Sequence, residues 1–317
     1  MSSARPTKNG ETRSNSTKWR SAAYGTPRPR LCSPSSAGEP NTRSSGEPMF
    51  DLDKLTPALR RALACPACHG GLARTSGGLR CAACANEYPA NGEYPDFAPE
   101  MRMKSGLGPF YLQDPLHVPH YEAKTRVAFL EIMGGNWDGA VTPEVEDDYL
   151  RGHLGAGDAP LLDLACGAGR WTRTLAGHLG SDQVIGLDLG RAMLTSIRAA
   201  LPEVPVIRAS ALALPFADGS LGGVNCSNAL QLLPDPRAVL FGAGRCLRPG
   251  GVFTAFTFLR SESPARRYFQ HRHERTFNVR SFTAGELITW LDSAGLALTD
   301  LTTEADMVFL TARRRRL

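Results

Sequence analysis

No apolar run in the 317 residues approaches the roughly twenty needed to cross a bilayer, so the chain carries no sequence-level membrane span. The first 48 residues also lack the apolar stretch of a secretory signal. A disulfide framework is missing too. Of the eight cysteines, four fall in two CxxC pairs, while Cys32, Cys166, Cys226 and Cys246 are scattered without matching spacing. That usage points to metal binding in a reducing compartment. Lysine is scarce, 5 against 31 arginines, which hints at a GC-rich coding sequence. Positive charge is absent where a nucleic-acid groove would need it. The formal charge is +5, but residues 1–48 hold +5 and Arg313–Arg316 a further +4, leaving the body between them at −4. A mildly acidic body with basic ends argues against a broad nucleic-acid surface.

What is present divides along the chain. Residues 1–48 are rich in Ser, Pro, Gly, Thr and Arg without periodicity, the composition of a disordered basic tail. Its Arg- and Ser-rich, acid-poor character fits an organelle transit peptide; the preferred expectation is that translation begins at Met49 and the protein is cytoplasmic. Residues 49–100 contain Cys65-Pro66-Ala67-Cys68 and Cys81-Ala82-Ala83-Cys84, separated by twelve residues. Two such knuckles present four thiolates to one tetrahedral ion, so Cys65, Cys68, Cys81 and Cys84 are expected to hold a structural Zn2+ in a ribbon. With five bases against six acids over residues 51–100, this ribbon is no phosphate clamp. Residues 101–158 read as linker helices and a lid: one helix from Tyr121 to Met133, another from Pro143 behind a Thr142 cap. The arginines at 313–317 read as a solvated basic tail.

The chain is organised around Leu161-Leu162-Asp163-Leu164-Ala165-Cys166-Gly167-Ala168-Gly169. A buried strand ending in a glycine turn and then a helix is the first unit of a doubly wound α/β sheet, and ligands bind at the carboxyl end of such a strand. Val184-Ile185-Gly186-Leu187-Asp188 repeats the pattern, its acid placed to grip a ribose diol. The dinucleotide fingerprint asks for a third glycine where Thr172 stands, so a pyrophosphate is not indicated. From residue 159 onward strands and helices alternate, which predicts a mostly parallel sheet.

These stretches resemble the class I S-adenosylmethionine-dependent methyltransferases. The strings VIGLDLGRAMLTSI, RASALALPFADGSL, ALQLLPDP and CLRPGGVFTAFTFLR stand in the order seen in the UbiE-like branch. With the ribbon, they are similar to chloroplast UbiE-like methyltransferases over roughly residues 60–312. The resemblance implies a seven-stranded Rossmann-like sheet with an antiparallel last strand and a cofactor domain over residues 159–312. It implies that Asp163, Gly167 and Gly169 wrap the methionine part of S-adenosyl-L-methionine. Asp188 would hold the ribose, Ser210 and Ala211 would meet the adenine, and Gln231 would face the methyl group. Ala165, Leu189 and Asn228 are further expected cofactor-binding residues, and the helix after Asp188 places Met193 to cover the adenine. Ser210 departs from the family, which carries an acid there, and a hydroxyl binds the adenine amino group more weakly.

The acceptor side matches no motif. His117, His120 and Tyr121 of the linker helices and Tyr268, His271, Arg272 and His273 of the 260–280 insertion are the polar groups at hand, with His271, His273 and Tyr121 the candidates for catalysis. The Asn-Pro-Pro-Tyr box of amino methylation is absent, since the fourth strand ends Asn225-Cys226-Ser227-Asn228. Cys226 sits near the nucleophile position of RNA cytosine C5 methyltransferases but lacks their neighbouring proline. The reading is therefore methyl transfer to an oxygen or carbon of a small molecule, with quinone or secondary metabolism as the candidate setting. The alternatives are a zinc-ribbon ribosomal RNA guanine-N1 methyltransferase and a binding protein that retains the fold without turnover.

Overall fold

The computed structural model describes residues 55–90, 94–98, 100–101, 114–155 and 157–316. The tail expected over residues 1–48, and Met49 with it, lies outside them.

The ribbon opens on helix α1 (Pro57–Ala62), started by Pro57 and capped by Thr56, whose hydroxyl accepts from the Leu59 amide at 3.2 Å. Strands β1 (Leu72–Thr75), β2 (Gly78–Cys81) and β3 (Glu87–Pro89) form an antiparallel sheet in sequence order. Gly78 permits the tight crossing, because a Cβ there would stand 2.1 Å from the Tyr88 carbonyl oxygen. The ribbon is not a free-standing body. Leu59, Cys65, Leu79 and Tyr88 belong to the same buried cluster as Phe216 and Phe253. The Ala64 amide also donates to the Pro215 carbonyl at 2.9 Å, and Ala217 to that of Ala62 at 2.8 Å.

The main sheet has seven strands: β4 (Leu161–Leu164), β5 (Val184–Asp188), β6 (Val206–Arg208), β7 (Leu221–Ser227), β8 (Leu247–Phe258), β9 (Leu296–Glu304) and β10 (Met307–Arg314). Their order is β6-β5-β4-β7-β8-β10-β9; β4 to β8 run parallel, and β10 is antiparallel to both neighbours. This is the expected architecture. Every residue of β4 is buried, as a central strand with both faces covered requires. Helices α4 (Arg170–Leu179), α5 (Arg191–Ala200), α6 (Pro236–Cys246) and α8 (Ala284–Ser293) connect the strands. Because β5 and β6 extend the sheet to one side of β4 and β7 and β8 to the other, the strand order reverses at β4, opening a crevice at its carboxyl end.

Three segments differ from expectation. The linker helix begins earlier, at Val118–His120, passes through a π-helical turn at Tyr121–Thr125 and continues as Arg126–Gly134; together these form α2. It ends at Gly135, whose φ of 67° suits the residue that closes a helix. The 260–280 insertion, read as irregular, holds helix α7 (Pro264–Phe277). Its only buried side chain, Gln270, donates to the carbonyls of Met133 (2.9 Å) and Leu259 (2.8 Å) and accepts from the Ser261 amide at 3.1 Å. One pinned polar residue in place of an apolar stripe explains why no periodicity announced the helix. Finally, Arg313 and Arg314 lie in β10, and Arg314 donates to the Ala294 carbonyl at 2.9 Å, so the basic run starts inside the sheet. Helix α3 (Pro143–His153) follows its expected Thr142 cap.

Candidate functional site

The crevice is floored by a buried polar network that ties the glycine turn to three strands. Asp163, Thr172, Asn225, Ser227 and Thr254 are all buried. Thr172 donates to Asp163 at 2.5 Å and Asn225 to the other carboxylate oxygen at 2.8 Å. The Asn225 carbonyl oxygen accepts in turn from Ser227 (2.7 Å) and Thr254 (3.1 Å). The position where a dinucleotide fold would place its third glycine thus carries the hydroxyl that anchors Asp163. Burial lifts the Asp163 carboxyl to about 6, against the pull of these two donors. Both oxygens of Asp163 face protein donors, so this carboxylate ties β4 to β7 and to the helix that follows the turn.

Above this floor the backbone turns sharply. Ala165, Gly167 and Gly169 all have positive φ, at 57°, 55° and 91°. The two glycines serve different purposes. A Cβ on Gly169 would collide with Ile197 at 2.7 Å, so this glycine lets α4 pack against α5. A Cβ on Gly167 would meet only Met193 Sδ, at 3.8 Å, so its outer face is open to close approach. The Gly167 amide donates to Asp188 at 2.9 Å and the Gly190 amide to the other Asp188 oxygen at 2.7 Å. Burial raises the Asp188 carboxyl, while these amides oppose the rise.

The next part of the crevice is set by β6. Arg208, buried in this strand, donates from Nε to the Leu189 carbonyl at 2.9 Å and pairs with the buried Asp96 at 2.9 Å. The segment after the ribbon is thereby clasped to the strand that leads to Ser210. The Ser210 hydroxyl accepts from the Leu212 amide at 3.2 Å; Ser210 and Ala211 are both buried, as is Met193. Past the end of β7, Asn228 holds a left-handed φ of 51° and accepts from Gln231 at 2.7 Å. Gln231 accepts from Thr257 at 2.9 Å, and its backbone carbonyl takes the Arg280 amide at 3.1 Å. Of the expected cofactor-side residues, Gly167 and Asp188 are bonded and Met193 lies beside them, while Ser210 and Ala211 follow the carboxyl end of β6 and Asn228 and Gln231 that of β7. Sequence reasoning missed Thr172, Asn225, Thr254, Thr257 and Arg208 as supports of the crevice. A polar Asn225 in the middle of an otherwise apolar strand was the available signal.

The acceptor-side candidates do not gather. Tyr121 lies in the π turn, its phenol pushed above its ordinary value by burial and by the charge of Glu122, so it stays protonated. His271 points outward with 58% of its side chain exposed, 3.4 Å from Glu274. His273 packs between Phe129 (5.0 Å between ring centroids) and Phe277 (4.3 Å), and burial lowers it to about 4. A ring held that far down is neutral at pH 7 and a poor proton acceptor. Between α2, α3 and the start of α4 lies a buried ion cluster: Arg126 pairs with Glu146, Glu122 stands 3.7 Å from Arg126, and Arg170 stands 3.7 Å from Glu146. The Arg126 guanidinium also sits 5.0 Å over the Trp171 ring. Cys226 is buried and its thiol is raised by burial, which removes it as a nucleophile.

In the ribbon, the sulfurs of Cys65, Cys68, Cys81 and Cys84 lie within 4.8 Å of one another, with Cys65–Cys84 at 3.6 Å and Cys68–Cys81 at 3.4 Å. A tetrahedral Zn–S distance of about 2.3 Å gives edges of about 3.8 Å, so the four sulfurs fit such an ion. Tyr88 stands with its hydroxyl 3.0 Å from Cys65 Sγ, placed to support a thiolate.

Comparison with known proteins agrees with this geometry. Residues 161–251, from the first strand of the crevice into β8, match the methyltransferase domain family. An uncharacterised chloroplastic methyltransferase of Arabidopsis thaliana is 30% identical over 230 residues, 63% of this chain and 62% of its own length. A second from that plant is 27% identical over 306 residues, covering 86% of this chain and 84% of that protein. The demethylmenaquinone methyltransferase of Lactococcus lactis is 40% identical over 97 residues, 29% of this chain and 38% of that enzyme. The chain thus spans 62% of the first plant relative and well under half of the quinone enzyme. The matched domain lies over the glycine turn, Asp188 and the strands that build the crevice, so residues 161–251 carry a methyltransferase domain of the kind these relatives share.

Proposed function

We propose that this chain transfers a methyl group from S-adenosyl-L-methionine to an oxygen or carbon of a small apolar molecule with a quinone-type ring. The observation that carries the reading is the contrast around the crevice: a braced, open Gly167 turn beside Asp188, and an acceptor side whose inward histidine is neutral and packed among Phe129 and Phe277. When bound, the cofactor supplies an electrophilic methyl group whose bond to sulfur is replaced, in line, by one to the acceptor. The protein's part is positioning, worth many orders of magnitude in rate by itself. The Gly167 turn and Asp188 hold the donor, and the loop of Gln231, fixed by Thr257 and Arg280, borders the transferred methyl group. An acceptor whose ring hydroxyl or ring carbon is already acidic needs no strong base. This suits the quinone-type class, and the name of the Lactococcus relative supports it. The acidic body disfavours the RNA alternative.

The four ribbon cysteines, in this reading, hold a structural Zn2+, since all four positions are thiolates and leave none open for chemistry. No helix among the described residues is long and apolar enough to cross a membrane. The cytoplasm and an organelle remain the two candidate compartments: the chloroplastic relatives and the acid-poor first 48 residues favour an organelle. A fluorescent fusion to residues 1–48 separates them. The test of the activity is incubation with methyl-labelled cofactor and a host extract divided into apolar metabolites and RNA. Label in the apolar fraction supports the proposal; label in ribosomal RNA alone overturns it.

A further inference from the structure

Helix α7 presents to solvent a face that nothing in the chemistry above uses. Ala265, Tyr268, Phe269, Arg272 and Arg275 recur at the three- and four-residue spacing of one helix side, and all are exposed. Tyr268 is 57% and Phe269 52% exposed, large values for aromatic rings beside one another. Their centroids lie 5.4 Å apart edge to face, and Arg272 donates to the Tyr268 hydroxyl at 3.1 Å. The inward arginines are spoken for, Arg266 by Asp306 and Arg267 by Glu274, each at 2.9 Å. The outward pair, Arg272 and Arg275, has no carboxylate partner among the described residues. The helix carries four arginines against one acid, Glu274, on a body whose net charge is −4.

We infer that this face of α7 docks the protein on an anionic lipid surface. Rings followed by arginines on one helix side are what the headgroup boundary takes up: the rings enter the acyl edge while guanidinium groups meet phosphates. The small Ala265 at the start of the face leaves the two rings free to lead. Charge complementarity singles out an anionic partner, and the location gives docking a use. The helix follows the carboxyl end of β8, where the crevice lies. Gln270 ties it to α2, and the Arg280 amide just beyond it holds the Gln231 loop. Docking through α7 therefore brings the acceptor side of the crevice to the bilayer, the phase in which an apolar acceptor dissolves. That use rests on the proposed acceptor class; the docking itself does not. A nucleic acid would satisfy the arginines too, but the acidic body around the helix leaves it no extended track.

The test is sedimentation of the full chain with phosphatidylcholine vesicles and with vesicles containing about a third phosphatidylglycerol. Tyr268→Ser/Phe269→Ser and Arg272→Glu/Arg275→Glu variants run alongside, with S-adenosylhomocysteine affinity as the check on folding. Docking predicts pelleting with the anionic vesicles only, weakened at least about 10-fold by either pair, with the nucleoside affinity unchanged. Pelleting that survives both pairs, as the basic ends alone would produce, overturns the inference. So does failure of the wild-type chain to pellet; ribosomal RNA binding abolished by the same substitutions would then assign the face to nucleic acid. No reaction is involved, so a wrong acceptor class leaves this result intact.

Discussion

The floor and the roof of the crevice are built by different rules. Under the glycine turn, Asp163, Thr172, Asn225, Ser227 and Thr254 are buried and bonded into one network across β4, β7, β8 and α4, and beside it the buried Thr257, Gln231 and Asn228 form a second. In the roof, among the described residues, are the three buried side-chain atoms without a hydrogen-bond partner: Arg126 Nε, Glu146 Oε2 and His273 Nε2. Buried polar atoms are costly when unmatched. The floor is thus held in one arrangement by its own bonds, while the roof keeps unsatisfied polar atoms beside the rings of Phe129 and Phe277.

Substitutions sharpen the contrast, the largest effects falling beneath the cofactor. Asp96→Ala leaves the Arg208 guanidinium buried without its counter-charge and should destabilise by about 3–5 kcal/mol, read by denaturant unfolding. S-adenosylhomocysteine affinity should drop with it, because Arg208 also holds the Leu189 carbonyl. If stability falls but affinity does not, the clasp is only structural.

Asp163→Asn comes next. An amide keeps one acceptor oxygen, so either Thr172 or Asn225 loses its partner, an expected loss of about 1–3 kcal/mol near pH 4. Its signature is in the pH dependence. The folded carboxyl titrates near 6 against an ordinary 3.8, so its stabilisation is fully present below about 4 and disappears as pH rises through 6. Wild-type unfolding midpoints should carry that decline and the variant should lack it.

The smallest effect belongs to the roof. His273→Phe removes an unpartnered nitrogen from an aromatic niche and should change stability at pH 7 by within about 1 kcal/mol. Because the ring is lowered from 6.5 to about 4, wild-type stability is lost as pH falls across that window. The variant should keep it. The two substitutions thus alter the same pH range in opposite directions, and identical pH profiles for both would erase the distinction between floor and roof.

The legible parts of this protein were those where backbone demands restrict the residue. Gly167, Gly169 and Asp188 stand where the turn and the strand end require them, paired CxxC knuckles announce four converging sulfurs, and Thr142 begins α3 as its cap. The supports were harder to see. Thr172 and Asn225 matter through each other and Asp163, across 62 residues of chain, and no local pattern encodes such a contact. Helix α7 stayed hidden because Gln270, and not an apolar stripe, fastens it. Its two histidines stood out as polar groups, yet one faces solvent and the other is packed among phenyl rings. Neither location follows from residue type.

A floor ready-made for an S-adenosyl group should bind S-adenosylhomocysteine one to one in calorimetric titration of the metal-loaded chain. Asp188→Ala should abolish that binding while the fold persists. Absence of heat with this nucleoside and with S-adenosyl-L-methionine, alongside clear binding of a nicotinamide dinucleotide, would contradict this reading of the floor.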